Sequence, residues 1–144
     1  MPRLRLEPLG DYSFSMDITV RITDLNYGGH VGNDTFLSLV HEARAAFLAS
    51  LGLSEIDCGG ISLIMADAAV VFMAEAYAGD VLRFEVAAGE ASRCGFRLFH
   101  RVTRPADGRA ILLAETGMAG WDYRAGKIMP LPAAVREKLG FGPI

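Results

Sequence analysis

The chain has few of the residues on which metal, thiol or nucleic-acid chemistry is built. Among 144 residues there are two cysteines, three histidines, one tryptophan and 14 Lys or Arg. Cys58 and Cys94 allow one bridge at most, and two cysteines in a chain of this size read as free thiols of a reducing compartment. No His/Cys cluster has metal-ligand spacing and no glycine-rich nucleotide loop occurs, so neither a metal nor another cofactor is implied. The 14 cations form no stripe, and the formal net charge is -3, which argues against a nucleic-acid partner. No hydrophobic run reaches the length of a membrane span. Arg3 and Arg5 have no apolar segment behind them that would make a signal peptide. The expectation is a cytoplasmic protein with no membrane partner.

What is there suits an ordinary globular fold: 51% hydrophobic residues, 22% charged, 16 glycines and 6 prolines. Residues 1–144 are expected to form one domain with its own core. Ser13 to Arg21 alternates, placing Phe14, Met16, Ile18 and Val20 on one face of a strand. Glycines 28, 29 and 32 then break the pattern, and Asn33 or Asp34 is the expected capping residue of a helix running to about Leu51, where Gly52 ends it. Phe36, Leu37, Val40, Ala43, Phe47, Leu48 and Leu51 give that helix a broad apolar stripe.

Ile61 to Ala74 is apolar apart from Asp67 and predicts a strand buried on both faces. Val81–Val86, Phe96–Val102 and Ala110–Trp121 predict three more strands, followed by a hairpin-like turn at 122–126 and a short helix after Pro132. One strand, one long helix and then consecutive strands make an α+β arrangement, an antiparallel sheet with a helix on one face. Strands that stay apolar to their ends predict self-association, as a homodimer or homotetramer.

The turn between the first strand and the helix is the chemically densest stretch: Thr23-Asp24-Leu25-Asn26-Tyr27-Gly28-Gly29-His30-Val31-Gly32-Asn33-Asp34. N–H groups at a helix N-terminus carry partial positive charge and can hold a carbonyl oxygen.

Asp24-x-Asn26-x-x-Gly29-His30-x-x-Asn33-x-x-Phe36, with Glu42, Ala43 and Arg44 following on the helix, resembles the hotdog-fold acyl-CoA thioesterases of the 4-hydroxybenzoyl-CoA thioesterase-like superfamily. Their usual string is Asp-x-Asp-x-x-Gly-His-Val-Asn-Asn-x-x-Tyr, then Glu-x-Ala-Arg on the central helix. Tyr77-Ala78-Gly79-Asp80 and the tail from Trp121 to Pro132 resemble later parts of the same family, so the likeness covers nearly the whole chain. It implies a hotdog fold, in which an antiparallel sheet wraps one long central helix. The implied reaction is hydrolysis of an acyl-CoA or acyl-carrier-protein thioester to free acid and thiol.

The chain departs from that string at one place. Where the family has its catalytic Asp it carries Asn26, and an amide does not take a proton from water. Asn26 remains a candidate for holding the attacking water or the thioester oxygen, against its plainer role as a turn residue. His30 and Glu42, where the chain also resembles plant-type acyl-carrier-protein thioesterases, are the best remaining base candidates. Asp34 is either a helix cap or a substitute carboxylate.

Gly29, Val31, Gly32 and Asn33 are expected to bind substrate through backbone N–H groups. His41, His100 and both cysteines read as structural, and Arg44 as a structural partner or a dimer-interface charge. Asp67 must reach water, a partner or the site. Two other readings compete. One is an acyl-thioester binder without turnover, permitted by Asn26. The other is an enoyl-thioester hydratase, which shares Asp24-x-Asn26 but whose histidine falls one residue earlier.

Overall fold

The computed structural model describes residues 2–143. Six strands form one antiparallel sheet: β1 (Phe14–Thr19), β2 (Ser62–Phe72), β3 (Val81–Gly89), β4 (Gly95–Arg104), β5 (Arg109–Asp122) and β6 (Lys127–Ile128). The order across the sheet is β1-β3-β4-β5-β2, with β6 pairing to β5. The long helix α1 (Asn33–Ser50) packs against it, and a short helix α2 (Ala133–Lys138) follows at the C-terminus. This is the expected α+β hotdog arrangement, sheet around central helix.

The α1 face that meets the sheet carries Phe36, Leu39, Val40, Ala43, Phe47 and Leu48, all buried. They join Leu82, Phe84, Val86, Leu98, Val102 and Leu112 in one apolar cluster. Each large side chain fully buried there contributes about 1.5–3 kcal/mol. The predicted stripe is right in period but not in every member. Leu37 is 47% exposed, while Leu39 and Arg44 are buried instead. Gly52, at φ +73, ends the helix, its N–H reaching Ala49 O at 2.9 Å while Leu53 N–H reaches Leu48 O at 2.9 Å. A left-handed residue at this position is the usual way to satisfy the last carbonyls, and glycine adopts it without strain.

β2 corrects another expectation. It lies at the sheet edge, antiparallel to β5, and Met65 to Ala68 are exposed rather than buried on both faces. An apolar run can mark a two-sided core strand or an uncovered edge, and sequence alone does not separate the two. Asp67 finds its partner on the outer sheet face. Its carboxylate meets Arg97 at 3.0 Å, and Arg97 also pairs with Glu115 at 3.0 Å. Asp67 lies opposite Gly117, where a Cβ would come within 2.8 Å of its oxygens. Further cross-strand pairs, Arg83 with Asp17 and Arg101 with Glu85, cover the same sheet. Both cysteines are free, and burial pushes the Cys58 thiol up to about 11, which keeps it inert.

Candidate active site

The first strand leaves the sheet tied to the turn before β3: Val20 N–H reaches Asp80 O at 2.8 Å, and Gly79 N–H reaches Val20 O at 2.8 Å. A single 3-10 turn at Ile22–Asp24 follows. Asp24, the first acid of the motif, is 3% exposed. It accepts the Arg21 N–H at 2.8 Å and the Arg21 guanidinium at 3.0 Å. Those bonds hold its carboxyl below the usual range against the opposing effect of burial. Its job is to fix the turn.

Asn26 to His30 closes a tight loop, with Asn26 N–H to His30 O at 2.8 Å and Gly29 N–H to Asn26 O at 3.1 Å. Gly29 sits at φ +80, a conformation costly for residues with a Cβ. Asn26 Oδ1 accepts the Gly28 N–H at 2.9 Å, so its oxygen is engaged within the turn and its Nδ2 donors remain for a ligand. A Cβ on Gly28 would lie 3.0 Å from His30 Nε2 and 3.3 Å from Asn26 Oδ1, which places both side chains over the same glycine. A Cβ on Gly32 would lie 2.7 Å from Asp34 Oδ1 and 3.6 Å from Asn26 Cβ. Glycine at 28 and 32 therefore brings Asn26, His30 and Asp34 together around one turn.

The backbone cradle is narrower than expected. Of the four expected donors, Gly29 is bonded within the loop, Val31 N–H reaches Ala76 O at 2.9 Å, and Gly32 N–H points to Asp24 O at 3.4 Å. The Val31 side chain is in the core. The donors left are those of the first turn of α1, starting at Asn33, which have no partner inside the helix. The cap itself differs from expectation as well. Gly32 is the N-cap, no side chain caps the helix, and Asp34 lies exposed in its first turn. A glycine cap leaves those N–H groups open to a ligand.

Glu42 is not part of this group. It is exposed on α1, six residues beyond Phe36, hence about 9 Å further along the axis. Aligned on Ala43-Arg44, the glutamate of Glu-x-Ala-Arg falls at His41. His41 Nε2 lies 2.8 Å from Glu55, and the buried Arg44 pairs with the same carboxylate at 2.7 Å. Burial works to raise the Glu55 carboxyl, but its bonds to His41 and Arg44 hold it below the usual range. His41 and Arg44 thus share one carboxylate in the loop after the helix. His100 is buried, with Nε2 3.3 Å from Thr116 Oγ1.

Beside the turn opens a cleft of about 280 Å³. His30, Asn33 and Glu75 give its lining polar groups, and Val31, Phe36, Phe72 and Met73 apolar ones. Phe36 and Phe72 stand with ring centroids 6.0 Å apart. Glu75 was not a sequence candidate. It follows the predicted strand in a plain Met-Ala-Glu-Ala stretch, and tertiary pairing, with the Val31–Ala76 hydrogen bond next to it, brings it to the turn. Among the described residues no group of three or more His, Cys, Asp or Glu is placed to hold a metal, and no helix is long and apolar enough to cross a membrane.

The model of the thioesterase-like superfamily matches residues 20–139, which include the turn, α1 and the cleft. The chain belongs to the thioesterase-like superfamily. It is 27% identical over 135 residues to a 1,4-dihydroxy-2-naphthoyl-CoA hydrolase of Synechococcus elongatus, covering 91% of this chain and 96% of that one. A 1,4-dihydroxy-2-naphthoyl-CoA thioesterase from Synechocystis superposes with a TM-score of 0.81 at 25% identity, over 88% of this chain and 95% of the other. A Thermus thermophilus thioesterase crystallised with coenzyme A and Zn shares the fold at a TM-score of 0.78 and 24% identity, over 90% and 98% of the two chains. The thioesterase fold read from the motif is therefore the fold of this family member.

Proposed function

We propose that this superfamily member hydrolyses an acyl-CoA thioester, releasing the free acid and the thiol. The observation that carries the reading is the N-terminus of α1, free of a side-chain cap, beside a cleft lined by both polar and apolar side chains. Donors at a helix N-terminus stabilise the oxyanion that forms when water attacks a thioester, typically by about 3 kcal/mol each. The two phenyl rings of the cleft, Phe36 and Phe72, suit an aromatic or otherwise apolar acyl group. The names of the naphthoyl-CoA relatives support the same class.

In this reading Asn26 donates to the thioester oxygen or the water through Nδ2, and His30 exchanges protons at the cleft. Asn33 offers its N–H from the helix start, while Gly29, Val31 and Gly32 shape the loop. Asp34 stands near Asn26 as a second carboxylate, whereas Glu42, exposed further along α1, takes no part. The exposed β2 edge supports a homo-oligomer. A single cytoplasmic domain without a cofactor completes the proposal.

The test is thiol release over a panel of short, long and aromatic acyl-CoAs and an acyl-carrier-protein thioester, on wild type, Asn26→Asp, His30→Ala, Asp34→Ala and Glu42→Ala. Turnover of an aromatic acyl-CoA, weakened by His30→Ala, supports the reading. Saturable binding with no thiol release, unchanged in Asn26→Asp, establishes the non-catalytic binder instead.

A further inference from the structure

Asn26 leaves the turn without its usual proton acceptor, and the cleft holds a carboxylate that the motif does not contain. Glu75 Oε1 lies 3.8 Å from His30 Nε2, and both side chains border the cleft. The Glu75 carboxylate is held from behind: Oε2 accepts the Tyr77 hydroxyl at 2.6 Å. The Glu75 carbonyl accepts from Arg104 Nη1 at 3.2 Å, and Arg104 itself is clamped by Asp80 at 3.1 Å. The next residue's carbonyl, Ala76 O, binds Val31 N–H in the turn. Backbone and side chain thus fix Glu75 against the loop that carries Asn26 and His30. The Glu75 side chain is still 59% exposed, so a water can reach it.

Resting on the thioesterase reading, we infer that Glu75 is the general base of this site, taking over the role of the acid absent at position 26. A water beside Glu75 gives up a proton to the carboxylate as its oxygen bonds the thioester carbonyl carbon. The negative charge moves to the carbonyl oxygen, held by the α1 N-terminus and Asn26 Nδ2. As the carbon–sulfur bond breaks, the electron pair leaves with sulfur, and the proton passes from Glu75 through His30 to the thiolate. Water and thioester become acid and thiol, with no other reactant. The other carboxylates fit this step less well: Asp24 is buried under Arg21, and among the described residues it is Glu75, not Asp34 or Glu42, that stands against His30.

The test compares wild type, Glu75→Gln and Glu75→Asp in thiol release from the best acyl-CoA of the panel, measuring kcat, KM and the pH profile. Glu75→Gln is expected to lower kcat about a hundredfold or more with KM little changed, and to abolish the acidic limb of the kcat profile. Glu75→Asp, which keeps a carboxylate, is expected to retain that limb with part of the activity. An unfolding temperature equal to wild type shows that Glu75→Gln is folded. A fall in kcat of less than about tenfold, or an acidic limb that survives in Glu75→Gln, overturns the assignment. Absence of thiol release by wild type overturns the thioesterase reading itself, a separate outcome.

Discussion

His100 shows how a single residue couples this fold to pH. Burial, assisted by the nearby Arg44 charge, drops its imidazole to about 3 from the ordinary 6.5, so the folded chain keeps it neutral. The unfolded chain takes up a proton on this histidine below about pH 6.5 and the folded chain does not, so its effect is nil above that pH. Stability then falls as pH drops from about 6.5 toward 3, by up to about 1.4 kcal/mol per pH unit. Between pH 7 and 5 the expected loss is about 2 kcal/mol, read as a lower unfolding temperature, and His100→Leu flattens that dependence. A wild-type curve as flat as that of His100→Leu would contradict the buried neutral imidazole. Gly120 makes a purely steric prediction. A Cβ there would strike the Met129 carbonyl and Ile61 Cδ1, and the backbone carbonyl cannot swing aside. Gly120→Ala should cost about 2–3 kcal/mol and lower the unfolding temperature by roughly 6–12 °C.

At the scale of elements, α1 is anchored by more than its apolar face. Arg44 is buried, and Glu55, in the loop after the helix, is its ion-pair partner while also holding His41. Glu55→Gln leaves the guanidinium without a counter-charge in a site with little water. The expected cost is about 3 kcal/mol, seen as a lower denaturant midpoint at unchanged slope. His41→Ala, which removes the exposed member of its pair, should cost less than about 1 kcal/mol. The contrast between the two variants separates a buried pair from a surface one. The N-terminal turn of α1 is the opposite case, kept open by a glycine cap where a Ser or Asp would have satisfied its donors.

For the whole molecule, the sheet ends in β2, an apolar edge with Met65 50% exposed. An edge of this kind offers unpaired backbone groups to another strand, and a second copy of the chain covers it at no loss of hydrogen bonds. Light scattering is expected to give an oligomer mass for wild type. Ala68→Lys, which sets a charge on that edge, should shift the mass toward the monomer. If wild type is monomeric at micromolar concentration, the edge is solvated and this prediction is wrong.

The sequence by itself determined the strand and helix order, the helix stop at Gly52 and the family, because each rests on local periodicity, turn chemistry or a short motif read in one stretch of chain. It also placed Asn26, His30 and Asp34 in one turn, since nine residues rich in glycine leave them little room to separate. Only the tertiary structure decided that β2 is an edge, that Asp24 is a buried clamp for Arg21, and that the open donors begin at Asn33. It alone brought Glu75 to His30, 45 positions earlier in the chain. The reason is physical: burial and long-range proximity depend on which strands pair, and a carboxylate in an extended segment carries no local mark of the turn it will face.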